Sequence, residues 1–312
     1  TQQEGAGGAG AGAGVAGAGP GAGRRVLVAG ATGYLGKYIV RECKARGFMV
    51  RALARSEPRL GWAREFVDEV IVAEATEPST MHGVCEGVDT VITCLGITRQ
   101  TDNVTYEQVD YGANSYLLSL AQHAKVRRFV FVSVLHADKV TFTDMVGARE
   151  SVVKELKGTS DIEWVVVRPT GFFVDLQNFV DMASTGRVWL LGDGTSRLNP
   201  IHGADLAAVC ADAVDSDPGQ ELECGGPEIF SQREIGELAF AALKDRSPKC
   251  TGVPFWVMDW LVLPLLRLFA RRTWNPLAMV TTLAKSDAIA PRFGHRRLKD
   301  FFEEAARQLA GG

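Results

Sequence analysis

Residues 26–36 read Val-Leu-Val-Ala-Gly-Ala-Thr-Gly-Tyr-Leu-Gly. The first four, small or apolar, predict a buried parallel strand. Gly30, Gly33 and Gly36 predict a tight turn into a helix that begins near Tyr34 and runs through 37–46. The spacing is GxxGxxG rather than GxGxxG. Glycine lets the backbone come close to a ligand and lets the helix pack tightly on the strand. Unpaired N–H groups then gather at the positive end of a helix dipole, an arrangement that suits a pyrophosphate. Gly30, Thr32, Gly33, Tyr34, Leu35 and Gly36 are the candidate contacts. Gly47 stops the helix, and 48–54 reads as a second strand, which completes the βαβ unit that the motif requires.

Outward from this unit the alternation continues. Strands are expected near 70–73 and over 89–95, 128–135 and 162–168, with helices over 78–86, 106–124 and 142–157. Apolar runs of this kind separated by helices indicate a parallel sheet covered on both faces. Past about residue 170 the alternation fails. The segment 171–199 is aromatic and glycine-rich, 204–214 reads as a helix packed back on the sheet, and 221–224 as a further strand. From Ser231 the pattern is helical, with Ser231 and Glu234 spaced as a capping box and 298–309 as the last helix. The expected fold is α/β: a Rossmann-type doubly wound parallel sheet with a small, mostly helical C-terminal substrate lobe. The expected division is a disordered Gly/Ala-rich tail at 1–23, the nucleotide-binding domain at 24–215 and the lobe at 216–312.

The composition of the 312 residues is that of an ordinary globular protein, 46% hydrophobic and 23% charged, with a net charge of −3. Acids and bases are interspersed, so no nucleic-acid footprint is expected. The tail at 1–23 has no hydrophobic period and cannot bury enough surface to order itself. Cys43, Cys85, Cys94, Cys210, Cys224 and Cys250 show no CxxC spacing, which points to reduced thiols and no metal site. No secretory signal is present, and a chloroplast or cytoplasmic location is expected. The most apolar stretch, PFWVMDWLVLPLLRLFA at 254–270, is shorter than a bilayer span and interrupted by Asp259, Pro264 and Arg267. It reads either as a buried or kinked core helix, or as a surface helix that lines an apolar pocket or makes peripheral membrane contact through 254–272.

The combination of GATGYLG at 30–36, RPTGFF at 168–173, GDG at 192–194, NPIHGADLA at 199–207, GGPE at 225–228 and the ending PRFG at 291–294 with LKDFF at 298–302 resembles the atypical short-chain dehydrogenase/reductases. The resemblance is to the NmrA-like and divinyl-chlorophyllide 8-vinyl-reductase-like kind, and it runs from about residue 24 to the C-terminus. It implies an NAD(P)-binding protein in which Thr76 meets the adenine. Cys94, Leu95 and Gly96 pass the ribose and pyrophosphate, and Pro169, Thr170, Gly171 and Phe172 lie beside the nicotinamide and the substrate; the alternative for this run is an aromatic plug of the core.

NAD-specific sites place an acid at the end of the second strand. Here no carboxylate follows until Glu57. Arg55 stands there instead, either as a solvated charge or as a clamp on a 2′-phosphate, with Lys37 in support. NADP(H) is therefore the expected cofactor. Typical members of the superfamily carry Tyr-x-x-x-Lys on the helix before the sixth strand. The matching positions here hold Met145 and Arg149, or Glu150 and Lys154 in another register, and neither supplies a phenol. Arg149 and Ser133 are the candidate catalytic residues, Arg149 to hold the nicotinamide ribose and Ser133 to bond substrate or amide. Each has a structural alternative, as a helix-surface charge and as a buried hydroxyl. His136 is a further possible proton donor. His202 and Asp205 read first as structural. The expected activity is NADPH-dependent reduction of a bulky, conjugated, apolar substrate such as the vinyl group of a tetrapyrrole. The alternative is a non-catalytic NADP(H)-binding regulator or assembly factor.

Overall fold

The computed structural model describes residues 21–97, 104–244 and 248–311. Its strands are β1 (Arg25–Ala29), β2 (Met49–Ala54), β3 (Glu69–Val72), β4 (Thr90–Thr93), β5 (Arg128–Val132), β6 (Glu163–Pro169), β7 (Val188–Leu191), β8 (Arg197–Leu198), β9 (Gln220–Cys224), β10 (Phe230–Ser231) and β11 (Cys250–Val253). Seven of them form one parallel sheet in the order β3-β2-β1-β4-β5-β6-β9. The order reverses between β1 and β4, and the carboxyl ends of those two strands mark the crevice where such sheets bind ligands.

Alternation along the strands sends side chains to opposite faces. Val26 and Val28 join Val130, Val132, Val165 and Val167 under α1 (Tyr34–Ala45) and α5 (Gly203–Asp212). Leu27 and Ala29 join Val91, Phe129, Phe131 and Val166 on the other face, under α2 (Asn114–His123) and α3 (Asp144–Gly158). α2 is entered through a π-helical turn, Glu107–Ala113. Both faces are therefore covered, and the expected doubly wound sheet is present.

A smaller lobe is built from α4 (Gln177–Ser184), β7, α6 (Gln232–Ala242), β11 and the final helix Leu298–Gly311. Phe173, Val180, Leu190, Ile235, Phe240, Leu298 and Phe302 form its core. Ser231 and Glu234 make the expected capping box on α6. The division at 215 does not coincide with a boundary in space. β9, past it, completes the large sheet, and residues 173–190, before it, belong to the core of the small lobe. The expected tail lies outside the described residues as far as residue 20. Gly21 is buried, and its N–H donates to the Arg46 carbonyl at 3.0 Å, so packed chain begins ahead of residue 24.

Two local expectations are corrected, at 78–86 and at 254–270, and one unassigned segment gains its elements. The helix expected over 78–86 is a short 3-10 turn, Pro78–Thr80, followed by turns. Gly83 and Gly87 there adopt left-handed φ values of 70° and 64°, which end any helix. The aromatic and glycine-rich segment 171–199, to which the sequence assigned no element, holds α4, β7 and β8. Residues 254–270 do not form a buried core helix: Trp256, Trp260, Leu265, Leu268 and Phe269 are exposed.

Candidate functional site

The turn after β1 leaves no room for side chains. Gly30 sits at φ +87°, and a methyl there would stand 3.0 Å from the Cys94 sulfur at the end of β4. A methyl on Gly36 would overlap the Gly30 carbonyl oxygen. The first turn of α1 is thereby pressed against the strand. Its N-cap is Gly33, exposed and extended at φ −78° and ψ 172°, and no side chain caps it. The amino end of a helix carries N–H groups without intrahelical partners. Here they open at the switch point beside Thr32, Tyr34 and Leu35, the arrangement expected for a pyrophosphate.

The Tyr34 side chain has a second task. Its Oη accepts from the Gly203 N–H at 3.1 Å, joining α1 to α5. Burial pushes its phenol up to about 12. His202 caps α5, its Nδ1 accepting from the Ala204 N–H at 3.1 Å. Its ring lies among Tyr34, Tyr38, Phe173 and Phe301. Asp205 accepts from the N–H groups of His295 and Arg296 and pairs with the Arg296 side chain, tying the C-terminal segment down. His202 and Asp205 are thus structural, as expected.

Arg55 lies at the end of β2, exposed, its Nε 3.9 Å from a Glu74 carboxylate oxygen. Lys37 reaches over the following loop, where its Nζ stands 3.3 Å from the position of a Cβ on Gly61. Arg55 thus precedes, and Lys37 approaches, the same 3-10 helical segment, Glu57–Phe66. Thr76 follows β3, half-buried, its hydroxyl donating to Glu74 at 3.2 Å.

At the inner end, β4 is clamped by α2 and α3. The Thr93 hydroxyl donates to Asn114 at 2.6 Å, and the Asn114 amide donates to the Leu95 carbonyl at 3.2 Å. Asp110 is wholly buried and accepts from the Ile97 N–H at 3.1 Å. Arg149 Nη2 lies 2.9 Å from the other Asp110 oxygen, and its Nη1 donates to the Val132 carbonyl at 2.8 Å. Any side chain at Gly96 would overlap the Arg149 guanidinium. Burial pushes the Cys94 thiol up to about 12, with the charge of Arg149 opposing, so it is a packing group rather than a thiolate.

Ser133 is buried and committed. Its hydroxyl donates to Glu150 at 2.6 Å, and Glu150 accepts two bonds from Arg168, at 2.8 and 2.9 Å. Arg168 also pairs with Glu221, which pairs with Lys157. Met145 belongs to an apolar cluster with Val134, Val140, Met279 and Leu283. His136 holds a left-handed backbone at φ 53°, uncommon for a residue with a side chain. Thr170 donates to the Asn199 carbonyl at 2.6 Å, Pro169 and Gly171 accept from the Leu135 and Ile201 N–H groups, and the Phe172 ring stands 6.3 Å from that of Tyr34. The 169–172 run is thus fastened at the carboxyl end of β6, and Phe173 fills the core beneath it.

The structure therefore brings the glycine turn, Cys94–Gly96, Arg149 and the end of β6 to one edge. Asp110, Asn114 and Glu150 are partners that sequence reasoning did not assign. Among the described residues no group of His, Cys, Asp and Glu is placed to hold a metal ion.

Comparison with known proteins identifies the family and the fold. A family model described as NAD(P)H-binding matches residues 30–217. The chain is 30% identical over 327 residues to the chloroplastic divinyl chlorophyllide a 8-vinyl-reductase of Zea mays, covering 92% of this chain and 80% of that protein. It is 29% identical over 241 residues to the photosystem II assembly factor Ycf39 of Synechocystis, covering 76% and 73%. Among solved structures, the NADPH-dependent quinone oxidoreductase QOR2 of Escherichia coli shares the fold at a TM-score of 0.65 and 13% identity, covering 91% of this chain and 99% of that one.

Proposed function

Because this chain belongs to the NAD(P)H-binding family, we propose that it is an NADPH-dependent reductase of a bulky conjugated substrate, of the kind represented by the vinyl group of a divinyl tetrapyrrole. The observation that carries the reading is the uncapped amino end of α1, opening at the β1/β4 switch point between the cations of Arg55 and Lys37 and the clamp on Gly96. The substrate class rests on similarity to vinyl reductases across nine-tenths of the chain. Those relatives are chloroplastic, and we place this protein in the same compartment.

The residues present fit the cofactor. The uncapped amino end of α1 opens where a pyrophosphate would bind, the Gly33 N–H itself being taken by the Gly30 carbonyl at 2.9 Å, and Arg55 with Lys37 would supply the charge that a 2′-phosphate requires. When bound, NADPH supplies a hydride. Arg149, fixed by Asp110 and the Val132 carbonyl, holds a donor edge against Gly96 for a ribose hydroxyl. Ser133 acts behind it as a positioning residue, because its proton is committed to Glu150. The segment 169–172 walls the site on the β6 side, with Phe172 as its apolar surface. We read Met145 and Arg149 as occupying the places of the phenol and lysine in typical members. Reduction of a vinyl group conjugated to an electron sink would tolerate this, with the proton taken from water or from a less tightly placed group.

A second reading is a non-catalytic NADP(H)-binding assembly factor. The similarity to Ycf39 and Met145 at the phenol position favour it. The two part when the purified chain is incubated with NADPH and a panel of conjugated vinyl and enone compounds, divinyl tetrapyrroles included. Mass detection of a two-hydrogen gain supports the reductase. NADPH binding with no product across the panel supports the assembly factor.

A further inference from the structure

The helical segment 255–269 is apolar on nearly every side but covered on only one. Phe255, Met258, Val262 and Leu266 are buried or half-buried against the protein. Trp260 is 83% exposed, Phe269 79%, Leu268 75% and Trp256 66%, with Leu261 and Leu265 also exposed. Trp256, Trp260, Pro264 and Leu268 recur every fourth residue, so they line one face of the helix. A helix that is hydrophobic all round is ordinarily buried, and an outward apolar stripe of this size marks a surface that is covered in use.

The charges beside the stripe identify the cover. Its one acid, Asp259, is neutralised by Lys285 at 2.8 Å. Arg267 lies on the segment itself, and Arg271, whose charge is paired with Asp144 at 3.0 Å, and Arg272 open the next helix, Arg271–Leu283. Aromatic and aliphatic residues on one face with arginines alongside are the pattern of a helix lying in the plane of a bilayer interface. No helix among the described residues is long and apolar enough to cross a membrane. Residues 1–20 are a poor cover, since Val15 is their one aliphatic side chain larger than alanine apart from Pro20. A symmetric contact with a second copy would set the arginines against their own kind.

We propose that the 255–269 stripe docks on an anionic lipid surface, with Trp256, Trp260 and Leu268 entering the headgroup–acyl boundary and Arg267 and Arg272 toward lipid phosphates. The proposal is independent of the reaction assigned above. It is tested by flotation of the full chain with vesicles of phosphatidylcholine alone and with one-third phosphatidylglycerol added. Binding to the anionic vesicles is expected, with a blue shift of tryptophan emission and weakening at raised salt. The combined variant Trp256→Gln, Trp260→Gln, Leu268→Gln should lose at least tenfold in vesicle affinity. NADPH titration and circular dichroism of the same variant report whether fold and cofactor site persist. No flotation with either vesicle overturns the proposal, as does equal flotation of a folded triple variant. A dimer in size-exclusion chromatography that the triple variant splits also overturns it, by assigning the stripe to a second copy.

Discussion

Arg149 holds its guanidinium 2.9 Å from the wholly buried carboxylate of Asp110, and the pair closes over Gly96 at the end of β4. The helix after β5 is thereby fastened to the strand that borders the proposed dinucleotide site. The arginine is held by a charge that has no route to water, which fixes its position more firmly than a solvated partner can.

Removing that cation strands a buried charge. Arg149→Met is expected to lose about 3–5 kcal/mol of stability, the usual cost of breaking one side of a buried pair. Adding Asp110→Asn should restore much of it, since the buried charge is then gone. Urea unfolding of the two variants checks this. Equal midpoints for Arg149→Met and the parent chain would show that the pair does not hold the site together.

Gly36→Ala should abolish NADPH binding or the fold itself, because the added methyl overlaps the Gly30 carbonyl oxygen. Gly158→Ala is the contrast. Nothing stands within 4 Å of a Cβ there, and Gly→Ala at a compatible position raises stability by about 0.4–1 kcal/mol. Melting temperatures and NADPH titrations of the two variants should separate cleanly.

Arg55→Gln combined with Lys37→Gln should weaken NADPH binding by about ten- to a hundredfold, in line with about 1.5–3 kcal/mol for a charged hydrogen bond, and leave NADH binding nearly unchanged. Fluorescence titration with both nucleotides measures the difference. A parallel loss for NADH would place the two cations away from a 2′-phosphate.

His202 makes stability depend on pH. Burial, with the charge of Arg296 in support and that of Asp205 opposing, lowers its pKa from the ordinary 6.5. The folded chain therefore takes the proton less readily than the unfolded one. Stability is full above about pH 6.5 and declines as pH falls below it toward the folded value. Protonation also removes the Nδ1 acceptor that caps α5. His202→Asn retains a capping oxygen and should flatten the melting-temperature profile between pH 7.5 and 5. An unchanged slope in the variant would assign the loss to other groups.

The parts legible in the sequence are those governed by local sterics and by burial on two faces. Gly33 and Gly36 are needed for contacts with the Gly30 carbonyl within the turn itself, whereas Gly30 also meets Cys94 on β4, and β5 and β6 are apolar runs because helices cover both sides. Asp110 and Asn114 were not legible as clamps, because their partners lie on β4 and α3, distant in sequence. The helix expected over 78–86 failed because Gly83 and Gly87 turn left-handed. β11 escaped notice because a four-residue strand paired in parallel with β7 leaves no periodic trace. Composition marked 254–270 as apolar and left a buried helix and a surface helix both open; the fold decides between them, because Trp256, Trp260, Leu268 and Phe269 face outward.

The most direct test of the account is calorimetric titration of the full chain with NADPH and with NADH. One site per chain is predicted, at least tenfold tighter for NADPH, and lost in Gly36→Ala. Absence of binding to either nucleotide would contradict the assignment of the α1 amino end as a dinucleotide site.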